Sequence, residues 1–63
     1  MAEKVRIEAE FDEDQAWALA EFLKRAHPED FARRAGDSTE ADQMWNAGLV
    51  LRQALTDKGF APR

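Results

Sequence analysis

KVRIEAEF, residues 4–11, alternates strictly between polar and apolar side chains. The apolar members are Val5, Ile7, Ala9 and Phe11, and the polar members are Lys4, Arg6, Glu8 and Glu10. A period of two is typical of a strand with one buried face. The rest of the sequence offers this strand no partner, and an unpaired strand leaves its backbone hydrogen-bonding groups unsatisfied. We therefore expect the strand to pair with the same strand of a second chain.

The residues after the strand predict a helix over residues 13–26. Asp12 can cap it, and Gln15, three residues on, can return the hydrogen bond as in a capping box. The apolar side chains of this helix cover an arc of about 200°, which is wider than the stripe of an ordinary surface helix. His27-Pro28 ends the helix, because a residue before proline is disfavoured in the α region. Residues 28–35 are compatible with a short helix in which Phe31 packs towards the core.

A long helix is predicted over residues 39–58. Gly59 is placed to end it in the left-handed conformation, with Phe60 contacting Leu55 as in a Schellman motif. Apolar residues occupy about 260° of its circumference, which is the pattern of a central helix. A chain of 63 residues is too short to surround such a helix. We therefore expect it to pack against its symmetry mate, with Gly48 permitting a close approach.

These elements predict an α+β fold, a small β-α-α chain that forms one domain over residues 1–63. The chain is expected to dimerise through its strand and its second main helix. The predicted interface residues are Val5, Ile7, Ala9, Phe11, Gly48, Leu51 and Leu55. The structural alternative is a compact three-helix monomer with a lone N-terminal strand laid across it.

The composition limits the classes of function that the protein can have. The sequence has no cysteine, which excludes disulfide staples and thiolate zinc sites. A net charge of −4 opposes binding that depends on neutralising phosphates, so nucleic acid is not expected as a partner. No apolar run reaches the roughly 20 residues that span a bilayer, and the N-terminus lacks the apolar core of a signal peptide. We expect no membrane association and a cytoplasmic location.

The inventory of reactive groups predicts neither enzyme activity nor a cofactor. There is no cysteine or tyrosine, and Ser38 is the only serine. His27 is the only histidine and has no second His or Cys with which to hold a transition metal. It is interpreted as a solvated cap. Asp12 and Asp14 lack the spacing of a calcium loop, so no metal site is predicted.

The order strand, helix, helix resembles the ribbon-helix-helix family. That resemblance implies a dimer whose paired strands enter the DNA major groove. Here the strand face would present Lys4, Arg6, Glu8 and Glu10, and its two glutamates would oppose the phosphates. A repressor or antitoxin of this kind is the alternative function.

A second resemblance lies in EDQAWALAEFLKR, residues 13–25, and LRQALTDKGFAPR, residues 51–63. These stretches resemble a group of short uncharacterised proteins encoded by proteobacteria and their phages or prophages. The resemblance implies a phage or mobile-element origin and assigns no residue a role.

Trp17 lies off the apolar arc of the first helix, between Glu21 and Lys24. One interpretation is that Trp17 covers residues 28–35 or the dimer mate. The other is that it anchors an external partner, as exposed tryptophans often do. Trp45 is assigned to the core. The leading expectation is a small protein-binding module that docks on an unidentified host protein through Trp17, Glu21 and Lys24.

Overall fold

The computed structural model describes residues 3–63, and all the regular structure in this range is helical. Helix α1 is Glu13–Arg25, α2 is Pro28–Ala32 and α3 is Ser38–Asp57. The two main helices lie where the sequence predicts them, to within a residue at each end. A short helix is present within residues 28–35, where the sequence was compatible with one.

Helix α1 begins at the predicted capping box. The Gln15 N–H donates to Asp12 Oδ1 at 2.8 Å, and the Asp12 N–H donates to Gln15 Oε1 at 3.2 Å. Lys24 and Arg25 lie in the last turn, where positive charge complements the helix dipole. Helix α2 then starts after His27, whose N–H donates to Asp30 Oδ2 at 2.8 Å. His27 is exposed.

Helix α3 is capped at both ends by local hydrogen bonds. Asp37 Oδ1 accepts from the Glu40 N–H at 2.8 Å, while Glu40 Oε1 accepts from the Gly36 N–H at 3.0 Å. At the C-terminus the Phe60 N–H donates to the Leu55 carbonyl at 2.9 Å, and the Gly59 N–H donates to the Thr56 carbonyl at 2.9 Å. These two bonds form the predicted Schellman motif.

The Schellman motif depends on Gly59, which has a φ of 96°. We expect Gly59→Ala to lower the free energy of unfolding by about 1 kcal/mol, because a side chain with a Cβ is strained in the left-handed region. Urea denaturation followed by far-ultraviolet circular dichroism measures the change. Gly36→Ala is the matched control, since Gly36 has no positive φ. Equal stabilities for the two variants would contradict this account of the helix end.

Helices α1 and α2 both pack on α3 and not on each other. The core against α1 consists of Ala16, Ala20, Leu23 and Leu55, with Leu19 and Phe60 packed around it. Helix α2 is held to α3 by Phe31, whose ring meets Trp45 edge-on with the centroids 5.6 Å apart. Gly48 leaves room for this ring, because a Cβ at that position would lie 3.2 Å from Phe31 Cζ.

The predicted α+β class is wrong, because residues 3–12 form neither a helix nor a strand. A strand requires a neighbour for its hydrogen bonds, and within the described part of the chain the other regular elements are helices that satisfy their own backbone groups. Val5 and Ile7 are 80% and 83% exposed. The alternating segment KVRIEAEF is thus exposed and forms no sheet.

The predicted ribbon-helix-helix topology is also wrong, because it requires the strand. That fold is built on a two-stranded ribbon, and residues 3–63 contain three helices and no ribbon. The face of Lys4, Arg6, Glu8 and Glu10 is therefore not the face of a strand. The short α2 between the main helices also departs from a strand, helix, helix order.

Candidate protein-binding site

An open groove separates α1 from α2, because each of these helices packs on α3 and leaves a gap between them. Glu21, Phe22 and Arg25 line the groove from α1. Phe22 is 60% exposed, an unusual state for a phenylalanine in the middle of a helix. The groove is open to solvent and does not enclose a small ligand as a deep cavity would.

The groove continues into an apolar notch of about 200 Å³. Phe22, Phe31 and Met44 supply its apolar lining, and Asp30 and Arg34 line it as well. Each apolar side chain comes from a different helix, and Phe31 is fixed by its contact with Trp45. The contact with Trp45 thus holds one wall of the notch in place.

Charged side chains line both sides of the groove. Arg25 pairs with Glu21 at 3.0 Å across one turn of α1, and Arg33 pairs with Asp30 at 2.9 Å across one turn of α2. Among residues 3–63, Arg34 makes no ion pair within 4.0 Å, and its side chain lines both the groove and the notch. Three guanidinium groups against two carboxylates give the groove a charge of about +1 on a chain whose net charge is −4.

The described residues offer the groove polar and charged groups but no cluster for a metal. No group of three or more His, Asp or Glu side chains in residues 3–63 is arranged to hold a metal ion. In the same range, no helix combines the length and the apolar character that a bilayer crossing requires. What the groove can supply is an apolar contact surface with ionic contacts at its edges.

The structure separates the three residues predicted to form a partner site. The Trp17 ring meets Phe60 edge-on, with centroids 5.1 Å apart, so Trp17 covers the chain end and not residues 28–35. Glu21 lines the groove, whereas Lys24 does not. Of the predicted set, Glu21 is thus the residue that shares a surface with Phe22 and the arginines.

The residues predicted to form a dimer interface also lie in different surroundings. Val5, Ile7, Ala9 and Phe11 are exposed on a segment without regular structure. Gly48 and Leu55 face the chain's own core, where Gly48 accommodates Phe31 and Leu55 packs with α1. Leu51 is 38% exposed, although it lies one helical turn from the buried Leu55.

Sequence reasoning missed Phe22, Arg33 and Arg34 as site residues. Phe22 belongs to the apolar arc of α1, and no motif in the sequence marks Arg33 or Arg34. The signal that could have found Phe22 was the width of that arc, because one neighbouring helix covers only part of about 200°. The edge of the arc farthest from α3 had to stay exposed.

The fold and the groove define a small all-α protein in which one long helix carries two shorter ones and an open, charged groove. The chain belongs to a family of unknown function, DUF7706, whose model matches residues 1–63. No curated protein is significantly similar to the chain. No solved structure is significantly similar to it either.

Proposed function

We propose that this protein is a non-enzymatic binding module that docks a segment of another protein in the groove between α1 and α2. The observation that carries the proposal is the apolar notch of Phe22, Phe31 and Met44 beside Arg34. The occupant we propose is a segment that presents an apolar side chain next to a carboxylate. The apolar group fills the notch, and the carboxylate pairs with Arg34.

The apolar part of this contact resembles the centre of known interfaces. Binding energy in protein complexes is concentrated in a few buried aromatic and arginine side chains set in well-packed pockets. Phe22 supplies an exposed aromatic surface, and Phe31 and Met44 supply the walls beside it. Burying Phe22 under a partner removes apolar surface from water, which stabilises the complex by about 25 cal/mol for each Å² buried.

The charges of the groove favour an acidic segment. Arg25 and Arg33 already have carboxylate partners, so Arg34 is the guanidinium in the groove that is free to receive one. An arginine can hold a carboxylate in a bidentate pair, which adds direction to the contact. A basic segment would meet the same guanidinium groups and be repelled.

The proposal extends to origin and location. The resemblance of residues 13–25 and 51–63 to short proteobacterial and phage proteins supports an origin in a phage or other mobile element, with a cytoplasmic host protein as the target. The genes beside those of several family members test the origin: phage or mobile-element neighbours support it, and consistent housekeeping neighbours contradict it.

Selection of peptides from a display library on the immobilised chain tests the chemistry of the groove. We expect the selected peptides to combine a large apolar residue with Asp or Glu. Phe22→Ala should weaken their binding about tenfold or more, because it removes the central contact. Arg34→Glu should also weaken it, and the weakening should diminish at high salt. Isothermal titration calorimetry measures each affinity.

Leu49→Ala is the matched control, because Leu49 is an exposed apolar residue of α3 that does not line the groove. It should bind the selected peptides as the wild type does. Peptides that bind Phe22→Ala as well as the wild type, or that are enriched in Lys and Arg, would contradict the proposed site. A physiological target is then a host protein that binds the wild type and Leu49→Ala but not Phe22→Ala. A selected peptide should displace this protein from the wild type.

A further inference from the structure

One flank of α3 carries a second apolar surface. Its residues, Ala47, Val50, Leu51 and Ala54, follow the i, i+3, i+4, i+7 spacing of one helix face. We call this set the outer face of α3. All four residues are exposed, and Val50 is 71% exposed. An apolar helix face of this kind is typical of a helix with partners on two sides.

The outer face has the symmetry of a surface that binds itself. In sequence order it reads small, large, large, small about the midpoint between Val50 and Leu51. If two copies of α3 cross antiparallel at this midpoint, Ala47 faces Ala54 of the second copy, and Val50 faces the second Leu51. A two-fold interface requires such self-complementarity, because the same patch is used by both chains.

The charges at the two ends of α3 select the antiparallel direction. Glu40 and Lys58 are 18 residues apart, which is five helical turns, so both lie along the Leu51 edge of the outer face. In the antiparallel pair, Glu40 lies about 4.5 Å along the axis from the level of the second Lys58, within reach of its side chain. A parallel pair would instead bring the two Glu40 side chains to the same level.

The isolated chain exposes more surface than a compact monomer of its mass. The chain exposes 5731 Å², whereas a compact monomer of its mass exposes about 4,100 Å². The excess of about 1,600 Å² is twice the roughly 800 Å² that each partner buries in a standard interface. Residues 3–12, which are exposed throughout, contribute part of this excess. The outer face of α3 is an apolar part of the exposed surface that lies on a helix, as Phe22 is on α1.

We infer that the outer face of α3 binds a second copy of this chain, with the two α3 helices antiparallel and centred between Val50 and Leu51. The inference is independent of the groove, because none of the four outer-face residues lines the groove or the notch.

Sedimentation equilibrium over a concentration series that reaches the millimolar range tests the dimer. The wild type should approach twice the chain mass of 7.2 kDa. Val50→Glu should raise the dissociation constant at least about tenfold, because association would bury a carboxylate. Glutamate is at least as good a helix former as valine, so the variant should keep its circular dichroism spectrum.

Leu49→Glu is the matched control for Val50→Glu. It places the same charge one residue away on the same helix, on an exposed position outside the outer face. This variant should dimerise as the wild type does. A wild type that stays monomeric throughout the series, or a folded Val50→Glu that dimerises as tightly as the wild type, would overturn the inference.

Disulfide trapping tests the direction of the helices, since the chain has no native cysteine. Ala47→Cys and Ala54→Cys are prepared as separate single variants and then mixed under mild oxidation. The antiparallel pair brings position 47 of one chain to position 54 of the other, so the mixed disulfide should form at least several times faster than either homodisulfide. Faster homodisulfide formation in each variant alone would overturn the antiparallel arrangement.

Discussion

Leu55→Ala should lower the free energy of unfolding by about 2–5 kcal/mol, the usual cost of emptying a buried leucine site. Leu55 is 7% exposed and is the one residue of α3 among the four buried apolar residues of the described chain. It holds α3 to α1, and its carbonyl also accepts the Phe60 N–H of the Schellman motif. A domain of this size has only about 3–5 kcal/mol from a single core, so much of the variant should be unfolded at room temperature.

Urea and thermal denaturation followed by circular dichroism measure this loss. Leu49→Ala serves again as the control, because it removes the same atoms from a position on the same helix that is 43% exposed. The control should lose less than about 1 kcal/mol. A Leu55→Ala melting temperature within a degree or two of the wild type would contradict the core, since 1 kcal/mol moves the midpoint by about 4–8 °C in such a domain.

The helix ends were predictable because they are decided locally. Asp12 with Gln15 forms the capping box, and Gly59 with Phe60 forms the Schellman ending, through hydrogen bonds that span a few residues. These groups are close in the chain, so the sequence order alone brings them together. The bounds of α1 and α3 followed from such ends and from apolar periodicity.

The N-terminal segment was mispredicted because a strand is not decided locally. The alternation of Val5 and Ile7 with charged residues describes which side chains share a side, but it does not supply the hydrogen-bonding neighbour that makes a strand. The predicted α+β class assumed that such a neighbouring strand exists. In a chain whose remaining regular elements are helices over residues 13–57, this pattern is insufficient evidence for a sheet.

The candidate site was predicted in part, because a groove depends on where separate helices pack. Glu21 was named for its place beside Trp17, and the structure puts it in the groove with Phe22. The contribution of Arg34 depends on how α2 is seated on α3, which no spacing within one helix records. The partner of Trp17, Phe60, is more than 40 positions away in the sequence. Such long-range contacts were outside the reach of helical periodicity.

Gly48 shows how a correct local inference can be given the wrong partner. A glycine within an apolar helix face was expected to permit a close approach by a symmetry mate. The structure shows a close approach at this position, but the group that approaches is the ring of Phe31. Gly48 therefore determines how α2 is seated, and through Phe31 it determines the shape of the notch.

Gly48→Val should accordingly lower the free energy of unfolding by about 1–3 kcal/mol, the cost of overpacking. An added Cβ would lie 3.2 Å from Phe31 Cζ and 3.8 Å from Leu23 Cδ2, and the valine methyl groups extend further into this space. The better helix propensity of valine returns only a few tenths of a kcal/mol, so the clash decides the sign. The Phe31 ring must move away from position 48, and this should alter its contact with Trp45 and so change the tryptophan fluorescence and the near-ultraviolet circular dichroism.

The same displacement should also weaken peptide binding in the groove, because Phe31 lines the notch. Gly36→Val is the matched control: a Cβ there would meet only Glu40 Oε1, at 3.8 Å, so stability and binding should remain close to those of the wild type. If Gly48→Val were as stable as Gly36→Val and kept the wild-type near-ultraviolet spectrum, Phe31 would not be seated on Gly48. If Gly48→Val lost stability but bound the selected peptides normally, the packing of α2 would be correct and the notch would not be the binding site.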